Sequence, residues 1–241
     1  MIAIILAAGL SKRLRPLTNK KPKCLLDICG ETLITRYIKL LSESGVDKIV
    51  IITGYKHDLV YQEIERVACG AKITCIYNQN FAEPGNHPID SFLLAEKEID
   101  DDFLLLNSDI YFSKQIIGAL LQEKRSCVAV DASTDYIVNE MFVNYNPKTM
   151  CVTDISKSLI QSDTGQGKSI QVVKLLYADG KKIFARAKEL TGQPNIFYPA
   201  QAYDTLIAEK RFFAVDVAGE FSHELDTVED YNSLTSNLST K

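Results

Sequence analysis

Ile4–Lys23, IILAAGLSKRLRPLTNKKPK, decides how the rest of this 241-residue chain is read. Ile4-Ile5-Leu6 is a short apolar run that stops at Ala7-Ala8-Gly9. It gives way to Lys12, Arg13, Arg15, Lys20, Lys21 and Lys23, six cations in twelve residues. Small residues at the end of a buried strand let a ligand approach the backbone, because no side chain stands in the way. Exposed N–H groups beside clustered Lys and Arg then suit an anion, above all a polyphosphate. The plainer alternative is a strand followed by a basic solvated loop. The density of positive charge from Lys12 to Lys23, anchored by Pro16 and Pro22, favours phosphate. No Gly-x-x-x-x-Gly-Lys-[Ser/Thr] motif is present, which disfavours an ordinary ATPase.

Outward from this stretch, strands and helices alternate. Ile2–Leu6, Lys48–Thr53, Lys72–Tyr77 and Phe103–Asn107 are apolar runs of strand length, rich in branched residues. Between them Thr32–Ser44, Leu59–Ala68 and Ser91–Ile99 have helical spacing. Such units predict an α/β fold with a Rossmann-like, doubly wound, mainly parallel sheet covered on both faces. In such sheets ligands gather at the carboxyl ends of the strands, where Gly9, Gly54, Asn78 and Asp109 fall. The rear half predicts shorter strands at Cys127–Val130, Met141–Tyr145, Cys151–Ile155, Ser169–Tyr177 and Phe212–Asp216. Helices are expected over Asp179–Leu190, Asn195–Glu209 and Val228–Leu238, and a flexible loop over Ser162–Lys168. We expect a single domain over 1–241, with a nucleotide-binding half (1–125) and an acceptor-binding half (126–241) that adds antiparallel strands, a substrate lid and the last helix.

Composition narrows the function. Lys plus Arg number 27 and Asp plus Glu 31, a net charge of −4 that argues against general nucleic-acid binding. The six cysteines show neither a C-x-x-C pair nor zinc-like spacing, which fits free thiols in a reducing compartment. Met1–Leu10 lacks a charged leader and is too short to cross a bilayer, so no membrane partner and a cytoplasmic location are expected. His57, His87 and His223 have no metal-type spacing.

Two aspartates are candidates for chemistry. Asp109 follows the fourth strand directly, and Asp226 stands just before the last helix. A carboxylate after a buried strand is costly without compensation, and Mg²⁺ accepts one or two carboxylates together with phosphate oxygens. Helix capping competes. Thr227-x-x-Asp230 has the form of a capping box, and Asp109 could cap a helix beginning near Ser113.

Leu6-Ala7-Ala8-Gly9, Arg13-Leu14-Arg15-Pro16-Leu17-Thr18 and Lys21-Pro22-Lys23 resemble the N-terminal signature of the sugar-phosphate nucleotidyltransferases. Ser11 replaces the usual second Gly, and Lys12 the usual Ser or Thr. Phe103–Phe112 with its two leading aspartates, Asp101 and Asp102, resembles that superfamily's metal-binding segment, with Ser108 for Gly. Glu224-Leu225-Asp226-Thr227-Val228-Glu229-Asp230-Tyr231 resembles an element of its phosphocholine cytidylyltransferase-like branch. The resemblance implies a GT-A-like nucleotidyltransferase fold. It implies that Leu6, Ala7, Ala8, Gly9, Lys12, Asn78 and Ser91 bind the nucleotide, with Ser91 also capping the helix it precedes. Arg13 and Lys23 would be catalytic, Asp109 and Asp226 would hold Mg²⁺, and Lys157 and Glu224 would contact the acceptor, Glu224 as a ligand or orienter. Phe142 stands where that branch has a lysine.

The implied reaction is transfer of CMP from CTP to a small phosphorylated or phosphonate acceptor, with release of pyrophosphate. A sugar-1-phosphate nucleotidyltransferase using UTP, GTP or dTTP is the neighbouring alternative, and a nucleotide-binding homologue without turnover is the second. A glycosyltransferase of similar architecture would present Asp-x-Asp where this chain has Asn107-Ser108-Asp109. Acceptor identity and oligomeric state are not legible in the sequence.

Overall fold

The computed structural model describes residues 1–135, 140–156 and 164–239. In chain order the front half runs β1 (Ile2–Ala7), β2 (Asp27–Ile28), β3 (Glu31–Thr32), α1 (Leu33–Glu43), β4 (Lys48–Thr53), α2 (His57–Ile64), β5 (Lys72–Tyr77), α3 (Pro88–Leu94) and β6 (Phe103–Asn107). The rear half runs β7 (Ile110–Phe112), α4 (Lys114–Gln122), β8 (Ser126–Asp131), β9 (Phe142–Tyr145), β10 (Val152–Ser156), β11 (Gly165–Leu175), α5 (Tyr177–Leu190), α6 (Asp204–Ala208), β12 (Phe212–Asp216), β13 (Ser222–Glu224) and α7 (Val228–Ser239).

Nine strands form one mixed sheet. β6, β1, β4 and β5 run parallel, with β1 central; Leu6 is level with Asn107 and Ala7 with Thr53. β11 joins β6 antiparallel and carries β8 and β9, and β12 extends the sheet alongside β8. β1 is buried along its whole length because it faces a helix layer on each side. Ala3, Ile5 and Ala7 pack with α1, α2 and α4, while Ile2, Ile4 and Leu6 pack with α3 and α5. That two-sided burial explains the unbroken apolar run.

Three expectations need correction. α2 spans His57–Ile64 rather than Leu59–Ala68, opening after Lys56 in a left-handed conformation. α3 begins at Pro88, not Ser91: proline is preset for the first helical turn, and the Asp90 carboxylate accepts from the N–H of His87 at 2.7 Å. Ser91 is therefore inside the helix and caps nothing. Within the expected loop Ser162–Lys168, Gly165–Lys168 belongs to β11, paired with Phe142–Tyr145; residues 162 and 163 lie outside the described residues. Gly165 has a packing reason, since a Cβ there would overlap the ring of Tyr145.

Candidate active site

Two pieces of structure too short to announce themselves in the sequence assemble the site. β7 and β13 form a separate antiparallel ladder that pairs Ile110 with Glu224. The N–H of Leu225 donates to the carbonyl of Asp109 at 2.7 Å. This pairing brings Asp109, at the tip of β6, beside Glu224 and Asp226, which come from far along the chain. One carboxylate oxygen from each of the three lies within 4.8 Å of the others.

Tyr37 of α1 fixes the ladder from below. Its hydroxyl accepts from the N–H of Ile110 at 3.0 Å and donates to the carbonyl of the same residue. The capping box also forms as the spacing predicts. The Asp230 carboxylate accepts from the N–H of Thr227 at 2.7 Å, and the Thr227 hydroxyl accepts from the N–H of Asp230 at 3.2 Å. With α7 capped by its neighbours, the Asp226 carboxylate is left to the site. Asp109 caps nothing either, because Ser113 holds the N-cap position of α4.

The cations come from the basic stretch. A 3-10 turn at Lys23–Leu25 buries Cys24 and Leu25 and directs Lys23 inward. Its ammonium lies 2.6 Å from Asp109 Oδ2 and 3.7 Å from Asp226 Oδ1. Burial opposes charge on Lys23, but Asp109, Asp226 and Glu224 together hold its pKa above the ordinary range. Arg13, on a second 3-10 turn anchored by buried Leu14, reaches Asp226 Oδ2 at 2.9 Å. Burial, reinforced by the Asp109 and Asp226 carboxylates, pushes the Glu224 carboxyl up to about 7. Gln171 steadies the group, donating to Glu224 Oε1 at 3.1 Å and accepting from Asn107 at 2.5 Å.

These residues line a cleft of about 740 Å³. Leu6, Ala8, Gly9, Arg13, Lys23, Ser91, Asp109, Glu224 and Asp226 all face it. Ala7 is buried in β1 beneath the cleft, and Lys12 is exposed outside its lining. Asn78 is buried behind the wall, where its side chain holds Asn86 and Ser91. Lys157 lies outside the described residues. Residues the sequence did not flag complete the cleft: Gln171, Tyr198 and Tyr203, together with Glu140, which pairs with Lys168 at 3.3 Å; Phe81, from the Asn78–Ser91 stretch, also lines it.

The carboxylate trio fits a hard divalent cation. All its donors are oxygens, and Asp109 Oδ1 is a buried acceptor with no hydrogen-bond partner among the described residues. An orphaned carboxylate oxygen in the interior is costly, and a metal ion satisfies it.

Residues 3–206 match the MobA-like NTP transferase domain. The choline-phosphate cytidylyltransferase of Haemophilus influenzae is 26% identical over 242 residues, covering 99% of this chain and 97% of that protein. The UTP–glucose-1-phosphate uridylyltransferase AglF of Haloferax volcanii is 31% identical over 125 residues, about half of either chain (52% and 49%). Among solved structures, the CTP:phosphocholine cytidylyltransferase of Streptococcus pneumoniae superposes with a TM-score of 0.77 at 26% identity, over 98% of this chain and 99% of that one. A UDP-glucose pyrophosphorylase reaches the same TM-score at 17% identity, a likeness of fold alone. The chain belongs to the MobA-like NTP transferase family and is a nucleotidyltransferase of mixed α/β fold. No helix among the described residues is long and apolar enough to cross a membrane.

Proposed function

We propose that this nucleotidyltransferase transfers CMP from CTP to a small acceptor carrying a phosphate or phosphonate. An acceptor oxygen attacks the α-phosphorus of CTP and forms the new P–O bond. The bond from that phosphorus to the oxygen bridging the β-phosphate breaks, and pyrophosphate leaves. The observation that carries this reading is the meeting of Asp109, Glu224 and Asp226 with Lys23 beside the tip of β1. The near-complete overlap with choline-phosphate cytidylyltransferases supports cytidine and a phosphocholine-like acceptor.

Asp109 and Asp226, with Glu224 beside them, would hold Mg²⁺, which when bound supplies charge neutralisation for the triphosphate. The open backbone at Ala8-Gly9 and the Arg13 guanidinium receive the phosphates. Lys23, a half-buried ammonium on the cleft wall, neutralises charge that builds on the reacting phosphoryl oxygens. The attacking oxygen is already an oxyanion near neutral pH. Alignment therefore replaces a general base, and the cleft needs no Ser–His pair. We assign the nucleotide to the half formed by 1–125 and the acceptor to 126–241, where Lys157 is an acceptor-binding residue. A cytoplasmic location fits this chemistry.

The uridylyltransferase relative favours a second reading, a sugar-1-phosphate acceptor with UTP, but its similarity covers only about half of the chain. The test is pyrophosphate release by the purified protein with Mg²⁺ and each of CTP, UTP, GTP and dTTP, against phosphocholine, aminoalkylphosphonates and hexose 1-phosphates. Release with CTP and a phosphocholine-like or phosphonate acceptor is expected, falling at least about a hundredfold in Lys23→Ala. Release with UTP or GTP and a hexose phosphate overturns the cytidylyl assignment. Triphosphate binding without release from any pair overturns turnover itself.

A further inference from the structure

Gln171, at φ +53°, is the only residue inside a strand with a positive φ among the described residues. A side chain strains the backbone in that region, which glycine enters freely. Gln171 stands in a bulge. From Ser169 to Val173 β11 advances four residues, while β8 opposite it advances two, from Val130 to Val128. The N–H of Gln171 donates within its own strand, to the hydroxyl of Ser169 at 3.1 Å. Bulges of this kind re-aim a side chain. Here the amide faces the cleft and ties the tip of β6 to β13. Its oxygen accepts from Asn107, two residues before Asp109, and its NH₂ donates to Glu224 Oε1 at 3.1 Å. An ionised carboxylate only accepts, which turns the NH₂ end of Gln171 toward Glu224.

A competing partner for Glu224 stands close by. The Lys168 ammonium lies 4.0 Å from Glu224 Oε2 and 3.3 Å from the Glu140 carboxylate. Lys168 does not line the cleft; it lines an adjoining cavity of about 380 Å³, whose wall Glu224 shares. Closing the gap to Lys168 would give Glu224 a charge-assisted bond, stronger than the one from a neutral amide. We propose that Gln171 is a positioning residue that keeps the Glu224 carboxylate with Asp109 and Asp226 and away from Lys168, and that the strained bulge of β11 serves this purpose. The role rests on reading the three carboxylates as a divalent-cation site. Strain held at a functional position needs a compensating contact, and the double tie of this amide supplies it. Gln171 acts through Glu224, so its removal changes where that carboxylate points rather than how many carboxylates are present.

The test is binding of Mn²⁺ alone, a hard cation that carboxylates also take, followed by the electron paramagnetic resonance signal of the free ion. Neither nucleotide nor acceptor is needed. Gln171→Met keeps the length and the strain but loses both side-chain hydrogen bonds; Gln171→Gly loses the same bonds and sheds the strain. Mn²⁺ affinity should fall roughly tenfold to a hundredfold in both, the usual loss when a residue that orients a metal ligand is removed. The urea midpoint of the glycine variant should nonetheless lie above that of the methionine variant. Were Gln171 merely structural, affinity would follow stability and return with glycine. Adding Lys168→Met should raise affinity more in Gln171→Met than in the wild type, because Lys168 draws Glu224 away only once the amide is gone. Unchanged affinity in both variants, recovery with glycine, or equal effects of Lys168→Met in the two backgrounds overturns the role of Gln171 while the cation site stands. A glycine midpoint below the methionine midpoint overturns the strain. A wild type that binds no Mn²⁺ overturns the cation site itself.

Discussion

Removing a single oxygen far from the substrate side of the cleft, Tyr37→Phe, should weaken both the fold and the metal site. Ile110 faces away from β13 in the two-stranded ladder, since its neighbours Asp109 and Tyr111 hold the hydrogen-bonding positions. Its N–H and carbonyl would be buried without partners if the Tyr37 hydroxyl did not serve both. Burial first, and then the Asp109 carboxylate, push the Tyr37 pKa well above its ordinary range, so the hydroxyl stays protonated. The phenylalanine ring keeps the stack on Phe112, whose centroid is 5.2 Å away. What is lost is hydrogen bonding to two buried backbone groups, at about 1–3 kcal/mol each, less the easier burial of a phenyl ring. The net loss should be about 2–4 kcal/mol. Followed by circular dichroism in urea, the midpoint should drop by roughly 1 M at an unchanged slope. Mg²⁺ binding measured by calorimetry should weaken as well, because Asp109 is the next residue. A midpoint shift below about 0.2 M would refute the reasoning, for it would mean that Ile110 finds other partners.

Ser11 has φ +50°, and its hydroxyl oxygen is buried without a hydrogen bond among the described residues. Ser11→Gly removes both costs, partly offset by the greater freedom of the unfolded chain, and should raise the melting temperature by about 2–4 °C. An unchanged or lower value by scanning calorimetry would show that the Ser11 side chain supports the loop. Glu224 gives a pH signature in metal-free protein. Its folded pKa of about 7 lies above its unfolded value, so the folded state binds the extra proton between the ordinary carboxylate range and about 7. Its contribution to stability is therefore present at low pH and lost as pH rises through that window. Melting in EDTA from pH 4 to 8 should show this slope, and Glu224→Gln should flatten it.

The readable parts of the chain were those whose signal is local. β4, β5, β6 and β12 match their expected bounds to the residue, because each is an apolar run closed by a polar or small residue. The small-residue tip of β1, which opens on the cleft, was equally plain from Ala8-Gly9. Asp109 and Asp226 were legible one by one from their local setting, whereas their meeting was implied by the family resemblance and by no local pattern. It depends on β7 and β13, three residues each, whose pairing leaves no periodicity to detect. The tie of Asn78 to Asn86 and Ser91 was hidden for a different reason. An asparagine in a turn looks the same whether its amide faces a ligand or its neighbours, and only burial separates the two.

Backbone likeness does not choose the substrate. The same TM-score of 0.77 joins this chain to a phosphocholine cytidylyltransferase and to a UDP-glucose pyrophosphorylase. Selection has to lie in side chains, and the two selections are built differently. Among the described residues the Asn78–Ser91 wall shares no hydrogen bond with the carboxylate trio, so a single substitution there can change the cleft lining, and with it the proposed nucleotide preference, without disturbing the trio. The carboxylates belong to a ladder that also holds α7 and β6 together, and a change there alters fold and chemistry at once. Nucleotide preference should therefore shift by point mutation more readily than metal dependence does.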